Sequence, residues 1–408
     1  MSDRLRVLVT DGQWRKSLAI VRALGKRGHT VEVAGETWAT TSFFSKYCSQ
    51  KWVFPTAERD RDACLAALER TLAARRYDLL IPTEDETVAI CAEHRAALAR
   101  HTVVPLPDYA TVLTAADKAL TFEAARSCGV PTPKTWIFRD LADFERFDGF
   151  DKLDSREPEI DMPVLIKPRR SSGSRGIRRV TDREQLTRIY REVHADHPLP
   201  LIQEAIPAGG AARGVSVLMD RDGEVWASFV HERIREYPVT GGPSTLRVSV
   251  HDPELVERSV GLLRSIGWIG MAIDEFKQDP RDAEFKFLEI NPRFVGSLQL
   301  AISAGVDFPN LLCLAFLGGT RQPAPEYPDG VMCRWLLPGD LLHFASNPKR
   351  MSLEPSFFRF RGPNLSYDIC SWDDFGPVLG RALAMVALSF DPEKRAMVFG
   401  RQRDSPPG

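Results

Sequence analysis

The chain has 408 residues, 43% of them hydrophobic, and its formal net charge is -1 at pH 7. This length exceeds one ordinary hydrophobic core, so we expect two or three domains or subdomains. The balanced charge argues against a nucleic-acid binder or a membrane-surface binder.

Strand and helix patterns alternate over the first hundred residues. A buried strand pattern at 5–9 is followed by a helical pattern and by further strand patterns at 31–33 and 78–81. This alternation predicts a parallel sheet covered by helices, with ligands beyond the carboxyl ends of its strands. Glu84 and Asp85 follow the last of these strands, so they are candidates for holding a cationic amine of a substrate. A helix cap or a solvated charge is the alternative interpretation.

The N-terminal apolar run breaks at Asp11-Gly12 and is too short for a signal peptide or a membrane span. The seven cysteines are scattered, and none forms a CxxC pair. Both features predict a cytoplasmic protein in a reducing compartment.

The sequence has neither a GxGxxG after its first strand nor a GxxxxGK[ST] motif, so a nucleotide site would have to be built in another way. A loop rich in small residues is a first candidate anion site. An apolar strand pattern at 164–167 ends in Lys167 and runs into this loop. Its backbone N–H groups could wrap an anion, and Lys167 would supply charge; a flexible solvated turn is the alternative. The loop residues of interest are Ser171, Ser172, Gly173, Ser174 and Gly176.

Another strand pattern begins at Leu201 and turns into a loop with glycines. Its edge includes Gln203, Glu204 and Ile206. Such an edge can offer backbone N–H and C=O groups to an adenine ring, with Ile206 against the ring face. A plain edge strand is the alternative.

The stretch FKFLEINPRFVGS carries the strongest metal signal. Glu289 and Asn291 are two residues apart, so they share one face of a strand. A hairpin centred on Asp282 would place Glu275 opposite Glu289. Three oxygen ligands of this kind suit Mg²⁺, and Arg293 would add a forked donor for a phosphate. An exposed hairpin with ordinary surface charges is the alternative.

Taken in chain order, these segments resemble the ATP-grasp superfamily over roughly residues 5–318. The resemblance is carried by DKALTFEAARSCGVPTP, VLIKPRRSSGSRGI, LIQEAIPAGG, GMAIDEF and FLEINPRFVGS. The segment HERIREYPVTGGPSTLR is similar to one in the carboxylate-amine ligase-like group, which is related to carbamoyl phosphate synthase large subunits.

The resemblance implies an α/β ATP-grasp fold in three parts. A parallel-sheet (Rossmann-like) pre-ATP-grasp domain would span 1–112. An ATP-grasp domain would span 113–319, with the nucleotide between two α+β subdomains at 113–202 and 203–319. A small appended C-terminal module would span 320–408, and we expect Trp335 and Trp372 in its core.

The resemblance also implies a role for each motif. Two lysines, Lys118 and Lys167, would contact the ATP phosphates, and the loop 171–176 would close over the β- and γ-phosphates. The adenine edge would be held by Gln203 and by the backbone of Glu204 and Ile206. The ligands of Mg²⁺, or alternatively Mn²⁺, would be Glu275, Glu289 and Asn291. The transferring phosphate would contact Arg293.

The implied activity is that of an ATP-dependent ligase. It would activate a carboxylate as an acyl phosphate, release ADP and phosphate, and pass the acyl group to an amine or a similar nucleophile. Arg235 and Arg247 are candidates for binding the acyl phosphate or a substrate carboxylate, and a structural ion pair is the alternative for each.

The implied partners are a small-molecule carboxylate and an amine, with a homodimer as an open alternative to a single chain. Two other functions stay open. One is a bicarbonate-activating carboxylase or carbamoyl-phosphate-type enzyme. The other is a non-catalytic nucleotide-binding regulatory protein.

Overall fold

The computed structural model of the protein describes residues 4–150, 160–171, 173, 175–239 and 241–389. Ser172 and Ser174 of the predicted phosphate loop lie outside the described residues. Within the described part, the strands form two sheets of four strands and one sheet of seven.

The first sheet is parallel throughout, with strand order β3-β2-β1-β4. Its strands are β1 Arg6–Val9, β2 Thr30–Gly35, β3 Cys48–Val53 and β4 Leu79–Ile81. The helical segments along this part of the chain are α1 Arg15–Lys26, a 3₁₀ turn at Thr41–Phe44, α2 Arg61–Ala74, α3 Asp85–Glu93, α4 Arg95–Leu98 and α5 Tyr109–Ala116. Parallel strands need crossover connections, which the helices supply. The predicted N-terminal parallel sheet is confirmed.

The second sheet is small and antiparallel, with strand order β5-β8-β6-β7. Its strands are β5 Thr135–Trp136, β6 Val164–Lys167, β7 Arg178–Val180 and β8 Leu201–Glu204. The accompanying helical segments are α6 Lys118–Ser127, α7 Leu141–Phe150, a 3₁₀ turn at Arg183–Gln185 and α8 Leu186–Asp196. Its core combines aliphatic and aromatic side chains, and Phe144 stacks on Tyr190 with ring centroids 3.7 Å apart.

The third sheet has the strand order β13-β12-β9-β10-β11-β14-β15, and only β14 and β15 pair in parallel. Its strands are β9 Ala212–Met219, β10 Val225–Glu236, β11 Ser244–Val250, β12 Gly270–Gln278, β13 Phe285–Asn291, β14 Met332–Arg334 and β15 Leu365–Tyr367. The helical segments are α9 Pro253–Ser265, α10 Leu298–Ala304, α11 Phe308–Phe316, an irregular turn at Leu336–Asp340, α12 Leu341–Ser346, a 3₁₀ turn at Arg350–Ser352 and α13 Gly376–Ser389.

Two apolar clusters join the first sheet to the third. One includes Leu8 and Val217, and the other includes Val9 and Leu218. Neighbouring residues enter different clusters because side chains alternate between the two faces of a strand. This packing holds the carboxyl end of the first sheet beside the third sheet.

The predicted domain boundaries stay predictions. The boundary at 202/203 falls inside β8, whose four residues all pair with β6 in the small sheet. Beyond the boundary at 319/320, β14 pairs with β11 and β15 pairs with β14. The C-terminal segment therefore extends the third sheet.

The prediction for one of the C-terminal tryptophans is wrong. Trp372 is 93% exposed because it lies in a surface turn just before α13. Trp335 is half-buried, and the guanidinium of Arg15 lies 4.0 Å from its ring centroid.

No single helix among the described residues is long and apolar enough to cross a membrane. The pair α10 and α11, bent by 90°, meets the length and composition criteria together.

Candidate active site

The centre of the candidate site is the hairpin formed by β12 and β13. Glu275 pairs directly with Glu289 across the two strands, as predicted. The turn between the strands is held by Asp279, which accepts hydrogen bonds from Lys286 (2.7 Å) and from the Arg281 side chain (2.9 Å). The sequence prediction of this hairpin is confirmed.

A register shift in the hairpin decides which way Glu289 faces. Glu275 pairs with Glu289, but the next residue, Phe276, pairs with Phe287. The extra residue is a bulge, which re-aims the side chains that follow it. As a result Phe287 and Ile290 both pack in the apolar core while Glu289 faces the opposite side.

The two carboxylates act on each other electrostatically. Burial raises the pKa of Glu275, Arg233 opposes this rise, and the neighbouring charge of Glu289 adds to it. Burial also acts against the charged form of Glu289, but the charges of Lys118 and Lys167 outweigh it and lower its pKa. Two close carboxylates of this kind favour a cation between them.

The donor set fits Mg²⁺ bound together with phosphate oxygens. Asn291 follows Glu289 by two residues on β13 and so adds an amide oxygen on the same face. The described residues contain no cluster of three or more His, Cys, Asp or Glu that could hold a metal. Two carboxylates and an amide leave positions for phosphate and water, which Mg²⁺ accepts and Zn²⁺ structural sites do not.

A basic side chain pairs with each carboxylate. Lys118 Nζ lies 3.0 Å from Oε2 of Glu289 and donates to the Ser171 carbonyl oxygen at 2.8 Å. Lys118 therefore links the metal-ligand candidate to the start of the predicted phosphate loop. On the other side, Nη2 of Arg233 lies 2.7 Å from Oε2 of Glu275.

Arg233 was not predicted from the sequence, although it lies in the HERIREYP segment beside the predicted Arg235. In a regular strand the two side chains would share a face. Register shifts on both sides of Arg235 break that alternation in β10. His231 and Arg233 are two residues apart, so the sequence could have indicated that they share a face of β10. It could not have indicated the bulge at Arg235.

Arg235 lies in a separate buried cluster. Its Nη1 donates to the Pro355 carbonyl oxygen (2.6 Å), and its Nε lies 3.0 Å from Asp340. Asp340 also pairs with Arg334 at 2.5 Å and accepts from Thr245 at 3.0 Å. These contacts are those of the structural ion pair, so the structure corrects the catalytic assignment of Arg235.

Lys167 lies at the end of β6, and its ammonium group donates to Oε1 of Gln203 at 2.6 Å. Burial lowers the pKa of Lys167 to about 8. Gln203 in turn donates to the Thr135 hydroxyl at 2.8 Å. The predicted phosphate lysine and the predicted adenine-edge residue are therefore neighbours on adjacent strands.

The loop after β6 needs its glycines. Gly173 and Gly176 have φ values of 62° and 72°, in the left-handed region that favours glycine. The backbone N–H of Lys118 donates to the Arg169 carbonyl oxygen at 3.0 Å, which ties the loop to α6.

At the predicted adenine edge, contacts within the chain involve the side chain of Glu204. The Glu204 carboxylate accepts from the Lys134 backbone N–H (2.8 Å) and from Arg281 (3.0 Å), so its side chain is engaged in the fold. Adenine contacts of the Glu204 and Ile206 backbone stay a prediction.

The two predicted substrate acids pair with basic residues of the chain itself. Nε and Nη2 of Arg293 donate to the two carboxylate oxygens of Asp85, at 2.6 and 2.9 Å. Lys16 Nζ lies 2.5 Å from Oε1 of Glu84. The structure therefore brings Arg293 to the carboxyl end of the first sheet, where Glu84 and Asp85 hold basic groups of the protein.

Arg247 is completely buried on β11, opposite Arg233 on β10. Its Nη2 donates to the Gly296 carbonyl oxygen at 2.9 Å and to the Asp368 carboxylate. Gly296 lies three residues after Arg293, so Arg247 adjoins the candidate site.

A family model described as "ATP-grasp in the biosynthetic pathway with Ter operon" matches residues 210–337. D-aspartate ligase of Enterococcus faecium (strain Aus0004) is 25% identical over 255 residues, which are 57% of this chain. The match spans 59% of the length of that relative.

Two of the solved structures with a fold similar to that of this chain are a biotin carboxylase domain and an L-amino acid ligase. The biotin carboxylase domain of Hydrogenobacter thermophilus 2-oxoglutarate carboxylase, in complex with MgADP, ADP and bicarbonate, has a TM-score of 0.61 at 19% identity and covers 80% of this chain and 73% of that one. An L-amino acid ligase from Bacillus licheniformis has a TM-score of 0.58 at 16% identity, with 78% and 75% covered. The predicted fold is confirmed by these likenesses.

Proposed function

We propose that this chain, which belongs by its fold to the ATP-grasp superfamily, is an ATP-dependent ligase that joins a carboxylate to an amine or a similar nucleophile. The observation that carries the proposal is the opposed pair Glu275 and Glu289, with Lys118 bridging Glu289 and the phosphate loop. This arrangement supports the proposal, because oxygen ligands for Mg²⁺ next to a basic group suit the phosphates of a nucleoside triphosphate.

In the proposed reaction, a substrate carboxylate oxygen attacks the γ-phosphorus of ATP, the bond to the β-phosphate oxygen breaks, and ADP leaves. The amine then attacks the acyl carbon of the resulting acyl phosphate. The bond to the phosphate oxygen breaks, and the nitrogen loses a proton. The protein's task is to offset charge on the phosphoryl oxygens and to exclude water.

Each residue has a specific task in this scheme. Glu275, Glu289 and Asn291 would hold Mg²⁺, which supplies positive charge beside the phosphates. Lys118 and Lys167 hold the phosphate chain from the side of the small sheet. Lys118 already contacts the Ser171 carbonyl oxygen, so its position is coupled to that of the loop.

Two further groups serve the substrate side. Arg293 is fixed by Asp85 at the carboxyl end of the first sheet, where it can face the transferring phosphate. Arg247 can bind a substrate carboxylate or the acyl phosphate from the β11 side. The names of two similar proteins, D-aspartate ligase and L-amino acid ligase, support a ligase.

Bicarbonate is the alternative acid. The similar biotin carboxylase domain carries MgADP and bicarbonate in its structure, which supports keeping this alternative. The third function is a nucleotide-binding regulator without turnover. The facing carboxylates Glu275 and Glu289, with their basic partners, argue against it.

The proposal also covers partners and location. We infer that small-molecule carboxylate and amine substrates are the partners and that the cytoplasm is the location. All seven cysteines are free thiols, which supports a reducing compartment. The similar biotin carboxylase domain is described as a dimer, and light scattering on the purified chain would test a homodimer here.

The decisive experiment follows ADP release from Mg·ATP with pooled carboxylic and amino acids and hydroxylamine. Hydroxylamine traps an acyl phosphate as a hydroxamate, whose mass identifies the acid. We expect a hydroxamate in amounts equal to ADP, lost in Glu289→Gln and retained in Glu284→Gln, an exposed residue of the same hairpin.

The other outcomes decide between the alternatives. ADP release that only bicarbonate stimulates would favour the carboxylase. Tight ATP binding without turnover on any acid would overturn the ligase and favour the regulator.

A further inference from the structure

A patch of exposed apolar side chains lies in the C-terminal segment, within residues 341–361. Met351 is 75% exposed and Phe358 is 57% exposed, and Leu341 and Phe360 are exposed as well. A single exposed apolar side chain is ordinary on a protein surface, but a group of them marks a surface that contacts a partner. The patch is therefore a candidate docking surface.

The same segment carries an excess of positive charge. Residues 341–361 contain four basic residues and one acid, Glu354, whereas the formal net charge of the whole chain is -1. The basic residues, all of them exposed, are Lys349, Arg350, Arg359 and Arg361. None of the four forms an ion pair with another residue that the structure describes. The charge balance of the whole chain thus conceals a local cationic surface.

Aromatic contacts bring the parts of the patch together. The ring centroid of Phe344, on α12, lies 4.2 Å from that of Phe357 and 5.6 Å from that of Phe358. Leu341 begins α12, three residues before Phe344. Met351 lies in the 3₁₀ turn Arg350–Ser352, which packs against α12. The exposed apolar side chains therefore belong to one surface.

Buried arginines hold the loop of this patch from behind. Arg235 donates to the Pro355 carbonyl oxygen at 2.6 Å, and Arg334 donates to the Arg359 carbonyl oxygen at 3.3 Å. The guanidinium of Arg334 also lies 5.0 Å from the ring centroid of Phe360. Because these carbonyl oxygens are bonded inside the protein, the loop can present its side chains at the surface. The Arg235 cluster, which the proposed reaction does not use, thus supports the patch.

The patch is remote from the candidate active site. Its loop is bonded to β14 through Arg334 and to β15 through the Tyr367 hydroxyl, which donates to the Phe360 carbonyl oxygen at 2.7 Å. These strands lie at the opposite edge of the third sheet from β13. The six strand spacings between β13 and β15 correspond to about 28 Å. A partner at the patch therefore leaves the hairpin of β12 and β13 free.

We propose that this patch docks the protein on the surface of a bilayer that contains anionic lipids. Met351, Phe358 and Phe360 enter the boundary between headgroups and acyl chains, while the four basic side chains meet the lipid phosphates. Anionic lipids give the cytoplasmic leaflet a negative surface potential, so the charges are complementary. Nucleic acid suits the patch less well, because Leu341 and Met351 have no flat face on which bases stack.

Cosedimentation of the full chain with lipid vesicles tests the proposal. One set of vesicles contains phosphatidylcholine alone, and the other contains equal parts of phosphatidylcholine and phosphatidylglycerol. A charge variant combines Arg359→Gln with Arg361→Gln. An apolar variant combines Met351→Ser with Phe358→Ser. The two variants separate the electrostatic contribution to binding from the apolar one.

The control removes the same amount of charge elsewhere. It combines Arg76→Gln with Arg100→Gln, at two exposed arginines among the first hundred residues. Poly(U) RNA and polyglutamate, tested in the same buffer, represent a nucleic acid and an acidic protein. Far-UV spectra and the midpoints of urea unfolding show whether each variant is folded.

We expect wild type and the control to bind the anionic vesicles at least about tenfold more tightly than the neutral ones. The charge variant should bind the anionic vesicles at least about tenfold more weakly than wild type, because each basic residue near the surface contributes about fivefold. Its affinity should also depend less on salt concentration. The apolar variant should bind more weakly with the salt dependence of wild type, because it keeps every charge.

Absence of binding to anionic vesicles by wild type would overturn the proposal, and so would equal affinity of the charge variant and the control. Binding to poly(U) or polyglutamate without binding to vesicles would overturn it in favour of a nucleic acid or an acidic protein. The proposal goes beyond the ligase reaction and does not depend on it, since the hydroxamate assay tests that reaction separately.

Discussion

Glu275 lies directly opposite Glu289 on paired antiparallel strands, and each carboxylate is engaged by a different basic residue, Arg233 and Lys118. Arg233 comes from β10 of the large sheet, and Lys118 is the first residue of α6, which packs against β13. The two protein cations offset the negative charge of the paired carboxylates.

Glu275→Gln is expected to weaken Mg²⁺ binding in the presence of ADP by at least about tenfold, because a ligand charge is lost. Calorimetric titration of Mg²⁺ into the ADP complex measures the effect. Glu284→Gln, exposed in the same hairpin, is the control and should bind Mg²⁺ like wild type. Unchanged affinity in Glu275→Gln would remove Glu275 from the metal site.

ADP affinity is expected to fall as the pH rises past about 8, the value to which burial lowers the pKa of Lys167. Above that pH the free protein holds a neutral amine, which cannot attract phosphate, so affinity declines by up to about tenfold per pH unit. Lys167→Arg keeps its charge and should show no such decline up to about pH 9.5. If ADP affinity fell with pH in the same way in wild type and Lys167→Arg, the titrating group would be a different one. The control is Lys134→Arg, at an exposed lysine, which should keep the wild-type dependence of ADP affinity on pH.

Asp279→Asn is expected to lower the free energy of unfolding by about 1–3 kcal/mol at neutral pH. Hydrogen bonds from Arg281 hold the pKa of Asp279 well below its usual range; burial opposes them and Lys286 supports them. An acid with a lowered folded pKa stabilises the protein above its unfolded pKa, about 3.9, and loses that contribution as the pH falls. The difference between wild type and variant in urea unfolding should therefore shrink below about pH 4. A constant difference across this range would mean that the charge of Asp279 does not hold the turn.

Gly214→Ala is expected to destabilise the protein by about 1–3 kcal/mol, because overpacking forces buried groups to shift. Gly214 pairs with His231 across β9 and β10, and an added Cβ would lie 2.3 Å from the buried His231 ring. Gly261→Ala on α9 meets nothing within 4 Å and should instead stabilise by about 0.5–1 kcal/mol. Urea unfolding of the two variants gives the comparison. Equal stability of Gly214→Ala and wild type would show that the ring has room to move.

The local features of the site could be predicted from the amino-acid sequence. The two-residue period of a strand and the turn-forming residues around Asp282 were enough to predict that Glu275 faces Glu289. In the same way, Lys167 at the end of an apolar strand and Gln203 in another strand were recognised one by one, and the structure places them 2.6 Å apart. Each residue could be recognised from the sequence around it, whereas the Lys167–Gln203 contact itself joins residues 36 apart.

The remaining features of the site depend on contacts between distant parts of the chain. The register shifts around Arg235 turn that side chain away, so that Arg233 and not Arg235 meets Glu275, and Arg293 meets Asp85 across 208 residues of sequence. The addition of β14 and β15 to the third sheet brings Asp368 to Arg247 and Arg15. Bulges and long-range ion pairs depend on how whole sheets pack together, and the energy that selects them is spread over many distant contacts. No local period in the sequence encodes that choice.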